Sequence, residues 1–79
     1  MKVEVRVFAT LRRYLPGLGV GEPKIVDVPA GTTFAELRDM LELPANEVKI
    51  VMCNNLQVEF DDTARDGDRI TYIPAVAGG

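Results

Sequence analysis

The chain has 79 residues, 47% of them hydrophobic, with one cysteine, no histidine and a formal net charge of −3. This length suits one compact domain, and the cysteine and histidine counts exclude a disulfide framework, a zinc site of the Cys/His type and a histidine-based catalytic triad. Because the charges are scattered and no run of about 18 apolar residues occurs, we expect a cytoplasmic protein without nucleic-acid or membrane partners.

The first third of the chain predicts a strand, a short helix and a loop. Apolar and charged side chains alternate along residues 2–10, which is the period-two pattern of a strand with one buried face. Phe8 falls on the opposite face. Apolar residues then recur at helical spacing, which predicts one or two helical turns over residues 10–15, before the Gly- and Pro-rich loop of residues 16–23.

A second strand and the main helix are predicted next. Residues 24–28 form a strand-like run. Thr33 and Glu36 have the spacing of a capping box, in which each side chain bonds the backbone of the other residue at the helix start. Apolar residues at helical spacing follow, so one stripe of this helix should pack on a sheet until the helix ends at Leu43.

Three further strands complete the predicted sheet. Residues 47–53 and 56–60 are strand-like, and the two asparagines between them tolerate the positive φ of a hairpin turn, so these strands should pair antiparallel. After a further turn, residues 69–73 form the last strand, which Pro74 ends. The predicted order is strand, short helix, strand, helix and three strands.

Strand alternation assigns the apolar residues to two faces of the sheet. The side that faces the helix is predicted to hold Val3, Val5, Val7, Ile50, Met52, Val58, Phe60, Ile70 and Tyr72. The solvent side is predicted to hold Phe8, Val51, Cys53 and Ile73. Pairing of the first and last strands would make Phe8 and Ile73 neighbours, so we expect this solvent side to bind a partner. The alternative is that these are scattered surface hydrophobes, which monomers commonly have.

The single cysteine has a functional and a structural interpretation. A nucleophilic thiol needs a group that lowers its pKa, and the sequence supplies no histidine and no obvious cationic neighbour for Cys53. A partly buried structural thiol is therefore favoured.

The last residues form an uncharged, slim tail with the sequence Val76-Ala77-Gly78-Gly79. Gly78 and Gly79 have no Cβ atom, so a partner's backbone can approach them closely. The α-carboxylate of Gly79 would become reactive as an acyl-adenylate, and addition of sulfur would convert it into a nucleophilic thiocarboxylate. Terminal glycines also mark frayed chain ends, so the tail by itself leaves both interpretations open.

Four segments of the chain together carry a family resemblance. They are Val5-x-Val7-Phe8-Ala9-Thr10-Leu11-Arg12-x-Tyr14-Leu15, Val28-Pro29-Ala30-Gly31-Thr32-Thr33, Asn54-Asn55, and Asp66-Gly67-Asp68-Arg69-Ile70 through Pro74-Ala75-Val76-Ala77-Gly78-Gly79. In this order they resemble the MoaD-type small subunit of molybdopterin synthase, which belongs with ThiS-type carriers among ubiquitin-like proteins. The resemblance implies an α+β domain with the β-grasp fold over residues 1–79, a mixed sheet on one main helix, with an exposed tail at residues 74–79.

The resemblance also implies a function in which the chain is a carrier and not a catalyst. The Gly79 carboxylate would be adenylated by an E1-like adenylyltransferase that uses ATP, and a sulfurtransferase would be the source of the sulfur. The tail would then enter the large subunit of molybdopterin synthase and donate sulfur to a pterin precursor of the molybdenum or tungsten cofactor. The chain itself would bind no cofactor and no metal.

Three other functions remain open at this stage. The chain could be a ubiquitin-like modifier joined through Gly79 to lysines of other proteins. It could be a sulfur carrier for thiazole or cysteine synthesis, which would use the same chemistry with another acceptor. It could also be a passive interaction module whose tail has no role.

Overall fold

Five strands and two short helices make up the fold in the computed structural model, which describes residues 1–19 and 21–75. The elements are β1 (Lys2–Val7), a 3₁₀ helix (Ala9–Tyr14), β2 (Lys24–Asp27), α1 (Phe34–Met40), β3 (Val48–Cys53), β4 (Leu56–Val58) and β5 (Arg69–Pro74). This order is the predicted one, and the mixed sheet packed on one helix is the predicted β-grasp fold. In the described ranges, no helix is long and apolar enough to cross a membrane.

The sheet places the last strand at its centre. The described strands have the order β2-β1-β5-β3-β4. β1 and β5 run parallel, whereas the other neighbours pair antiparallel. The first and last strands are therefore adjacent, as predicted. Because β5 is hydrogen-bonded to β1 on one side and to β3 on the other, the chain that follows it begins at a fixed point of the sheet.

The core lies between α1 and one face of the sheet. Val5, Ile70 and Tyr72 have no exposed surface, and Phe34 and Leu37 of α1 are at most 2% exposed. The Tyr72 hydroxyl donates a hydrogen bond to the Phe34 carbonyl oxygen at 2.6 Å. Burial raises the pKa of Tyr72, so the hydroxyl keeps its proton and continues to link β5 to the start of α1.

The main helix begins as predicted but ends earlier. The Glu36 N–H donates to Thr33 Oγ1 at 3.1 Å, and the Thr33 N–H donates to Glu36 Oε1 at 2.9 Å, so the capping box is present. The prediction that the helix continues to Leu43 is wrong, because α1 ends at Met40. Glu42 takes a φ of 59°, and one residue in the left-handed region stops a helix.

Strand β3 presents the opposite faces from those predicted. Val51 is 0% and Cys53 9% exposed, whereas Ile50 and Met52 are only partly buried. The register between β3 and β5 shifts between Val48 and Ile50. An extra residue at such a bulge inverts the inward and outward alternation beyond it. The prediction that Val51 and Cys53 face solvent is therefore wrong, and Ile50 and Met52 take that side.

Candidate functional site

The tail predicted to carry the chemistry starts where β5 ends. The prediction that the exposed tail begins at residue 74 is wrong for Pro74, which is buried as the last residue of β5 and is the register partner of Val48 in β3. Ala75 after it is exposed. The predicted reactive residues lie outside the described residues; they are Val76, Ala77, Gly78 and Gly79. The structure thus defines the root of the tail, at the end of the central strand between β1 and β3.

A polar cluster ties the 3₁₀ helix to the segment beside the tail root. The Tyr14 hydroxyl donates to the Glu47 carboxylate, and Arg13 Nη2 donates to Glu47 Oε1 at 2.7 Å. The Arg13 guanidinium also lies 4.9 Å from the centroid of the Tyr14 ring. Glu47 directly precedes Val48, which pairs with Pro74. The cluster therefore holds the start of β3, and with it the strand that flanks the tail root.

Four apolar side chains form an outer patch on the sheet face turned away from α1. We define the outer patch as Phe8, Ile50, Met52 and Ile73. Ile50 is the register partner of Ile73. The Phe8 N–H donates to the Tyr72 carbonyl oxygen at 3.2 Å, which extends the pairing of β1 with β5 and places Phe8 beside Ile73. Phe8 is 50% exposed, and the other three members are partly buried.

Only half of the outer patch could be found from the sequence. The structure brings Phe8 and Ile73 together as predicted, and it places Val51 and Cys53 in the core. Residues 50–53 are all apolar. A continuous apolar run contains no alternation from which its outward-facing members can be recognised.

The environment of Cys53 favours the structural interpretation of this residue. The thiol is free and buried. Burial, together with a hydrogen bond to Asp68 and the charge of that carboxylate, raises the pKa of Cys53 to about 11. The thiol is therefore protonated near neutral pH, and a protonated thiol is a poor nucleophile. Among residues 1–19 and 21–75, no three cysteine or acidic side chains are grouped so that they could hold a metal ion.

Comparison with known proteins identifies one family and a group of similar folds. The model of the ThiS family matches residues 5–79. No curated protein matches the chain. Among solved structures, the HVO 2177 protein of Haloferax volcanii is 27% identical and superposes with a TM-score of 0.79, over 100% of this chain and 87% of that one.

Two more distant structures share the fold over their whole length. SAMP1 from Haloferax volcanii is 19% identical with a TM-score of 0.71, and 100% of both chains is covered. A complex of subunits 1 and 2 of the molybdopterin-converting factor from Helicobacter pylori contains a chain that is 23% identical with a TM-score of 0.64, again with 100% of both chains covered. Since the family model matches almost the entire chain, this protein belongs to the ThiS family and is a small ubiquitin-like protein of the sulfur-carrier type.

Proposed function

We propose that the chain carries sulfur in the synthesis of a molybdenum- or tungsten-pterin cofactor, as the small subunit of molybdopterin synthase. One observation carries the proposal: the family match extends through Gly79, the end of a tail that leaves the central strand of the sheet. The MoaD-type segment at residues 5–15 favours this pathway within the family. The Helicobacter pylori relative, described as a complex of subunits 1 and 2, also supports it.

The proposed chemistry uses the chain terminus and no side chain of the folded body. An E1-like adenylyltransferase would join the Gly79 carboxylate to the AMP of ATP, and pyrophosphate would leave. Sulfur at the sulfide level, delivered through a sulfurtransferase, would displace AMP and leave a thiocarboxylate. The thiocarboxylate would attack the pterin precursor within the large subunit, and hydrolysis of the carbonyl–sulfur bond would leave the sulfur on the pterin and restore the Gly79 carboxylate. The chain binds no cofactor in this scheme, because ATP belongs to the activating partner. The protonated Cys53 thiol is consistent with a carrier that does not act through a cysteine.

The outer patch is the proposed docking surface for the partners. Ile73 lies directly before Pro74, so one member of the outer patch and the tail root lie on the same strand. A partner held on the patch would therefore receive the tail at a fixed position. Aromatic residues are enriched among the side chains that contribute most to association, and Phe8 is the exposed aromatic of this patch.

The intact mass of protein purified from its native host tests the carrier state directly. A fraction of molecules in which one oxygen is replaced by one sulfur supports the proposal. Fragmentation should place that substitution on Gly79, and treatment with an alkylating reagent should modify the sulfur because a thiocarboxylate is nucleophilic. Sulfur bound only at Cys53 would contradict it.

Protein modification is a second candidate function, because a solved structure with the same fold, 20% identical to this chain, is described as small archaeal modifier protein 1 of Haloferax volcanii. A modifier would use the same adenylation of Gly79 and then form an isopeptide bond with a lysine of another protein. Mass spectrometry of cell extracts separates the two functions, because modification leaves Gly79 linked to lysine side chains. Genes neighbouring the one for this chain would separate cofactor synthesis from thiazole or cysteine synthesis.

A further inference from the structure

The outer patch continues into a second surface that is positively charged. A groove of about 450 Å³ lies beside the patch and is lined by Arg6, Phe8, Asn54, Asn55, Arg69 and Thr71. Phe8 belongs to both surfaces. Thr71 is the register partner of Arg6 on one side and of Met52 on the other. The groove and the outer patch therefore form one continuous surface across the three central strands.

Arg6 is held in the groove through its side chain, and Arg69 is held through its backbone. Arg6 Nε donates to the Gly21 carbonyl oxygen at 3.0 Å, which leaves its terminal nitrogens to other acceptors. The Asn54 side chain accepts the Arg69 N–H at 3.0 Å, and the Asn54 N–H donates to the Arg69 carbonyl oxygen at 2.8 Å. Within the described part of the chain, neither arginine forms an ion pair, although Glu4 is the register partner of Arg69.

A partner docked on the outer patch would extend over the groove that these two guanidinium groups line. A partner that covers Phe8 also covers the edge of the groove, because Phe8 lines both surfaces. A charge that loses water without gaining an opposite charge is costly. Carboxylates are the natural counterpart, since the planar guanidinium can bond both carboxylate oxygens.

The local charge of the groove contrasts with that of the whole chain. The formal net charge is −3, so an acidic partner surface gains nothing from the chain as a whole. The lining of the groove contains two arginines and no acidic residue, so the groove would attract such an acidic surface. Charges arranged in this way fix the orientation of a complex more than they raise its affinity.

We propose that the partner docking on the outer patch carries an acidic segment whose carboxylate pairs with Arg6 and Arg69 in the groove. This inference rests on the proposed function, because it assigns the chemistry of the surface that receives the carrier body. In this arrangement the apolar patch holds the partner, and the two arginines select partners and set the direction in which the tail points.

Calorimetry with the purified large synthase subunit and the E1-like enzyme of the same organism tests the proposal. Arg69→Glu should bind at least one of them about tenfold more weakly at low salt, with a smaller dependence on salt than the wild type. Lys24→Glu is the matched control, since it changes the net charge equally. Its register partner Val5 faces the core, so Lys24 lies on the other side of the sheet from Arg6. Its affinity should stay within about twofold of the wild-type value.

Each outcome separates this inference from the proposed function. Equal affinity and equal salt dependence of Arg69→Glu and Lys24→Glu for both enzymes would overturn the acidic-segment proposal and leave the carrier function intact. Wild-type protein that binds neither enzyme would overturn both. Arg69→Gln removes the charge without placing a second carboxylate beside Glu4, so it should fold even if Arg69→Glu does not. Unchanged salt dependence in Arg69→Gln would also overturn the proposal.

Discussion

The two faces of the sheet are formed by the same central strands, but one face packs in the core and the other is exposed. On the inner face, Val5 and Ile70 are fully buried beneath α1. On the outer face, Phe8 is 50% exposed and lines the same groove as Arg69. Buried side chains determine the free energy of unfolding, whereas exposed apolar groups beside unpaired charges are suited to association. Substitutions on the two faces should therefore separate stability from partner binding.

Removal of Gly79 should have the largest effect of any single change. The carboxylate would then sit on Gly78, one residue short of its position in a partner's active site, so sulfur transfer should be abolished. The buried core lies within residues 3–72, so the melting temperature should stay close to the wild-type value. A transfer assay with the reconstituted synthase measures the first effect. Normal transfer by the shortened chain would contradict the carrier function.

On the inner face, Ile70→Ala should lower the free energy of unfolding by about 2–5 kcal/mol. Ile70 has no exposed surface, and its removal leaves a cavity between the central strand and α1. Denaturant titration measures this loss. Ile25→Ala is the matched control, because Ile25 is 57% exposed on the edge strand β2 and should cost about 0.5 kcal/mol or less. Equal losses in the two variants would contradict the assignment of the inner face.

On the outer face, Phe8→Ala and Ile73→Ala should each weaken partner binding about tenfold, or about 1.4 kcal/mol. Their effect on the melting temperature should be smaller than that of Ile70→Ala, because both side chains retain exposed surface. Met40→Ala serves as the control here, since Met40 is 52% exposed and lies on α1, which packs on the opposite face of the sheet. Normal binding by both variants in calorimetry, or unfolding of both, would show that the docking surface lies elsewhere.

The sequence predicts the central pair of strands better than the strand beside it. Along β1, apolar and charged residues alternate cleanly, and this pattern assigned Val3 and Val5 to the core correctly. In β3, the bulge before Ile50 inverts the alternation. The bulge depends on pairing with β5, which is distant in the chain, so no local sequence pattern predicts it.

The charged groove could not be predicted from the sequence either. Arg6 and Arg69 come from opposite ends of the chain and meet only because β1 and β5 pair in one particular register. Alternation can predict that each arginine points outward, but it does not give the register. The reactive end was recognisable for the opposite reason, because Gly78 and Gly79 are adjacent in sequence and need no fold to bring them together.

Cys53→Ala should have the smallest effect on function. Sulfur transfer should be unchanged, because the chemistry is assigned to Gly79 and the raised pKa keeps the thiol protonated. The free energy of unfolding near pH 7 should fall by about 1 kcal/mol, since a small buried side chain is truncated. A variant that is folded but inactive in the transfer assay would instead indicate a thiol mechanism.

The pH dependence of the same variant tests the environment of the thiol. Folding raises the pKa of Cys53 from 9.0 to about 11, so the folded state holds the thiol proton more tightly than the unfolded state does. This contribution to stability is complete below about pH 9 and is lost as the pH rises toward about 11. The stability advantage of wild type over Cys53→Ala should therefore shrink across this interval in denaturant titrations. Tyr72 is present in both proteins, and the charge of Cys53 is the smallest contribution to its raised pKa, so the titration of Tyr72 nearly cancels in the difference. An advantage that stays constant from pH 8 to 11 would mean that Asp68 and burial do not hold the proton on Cys53.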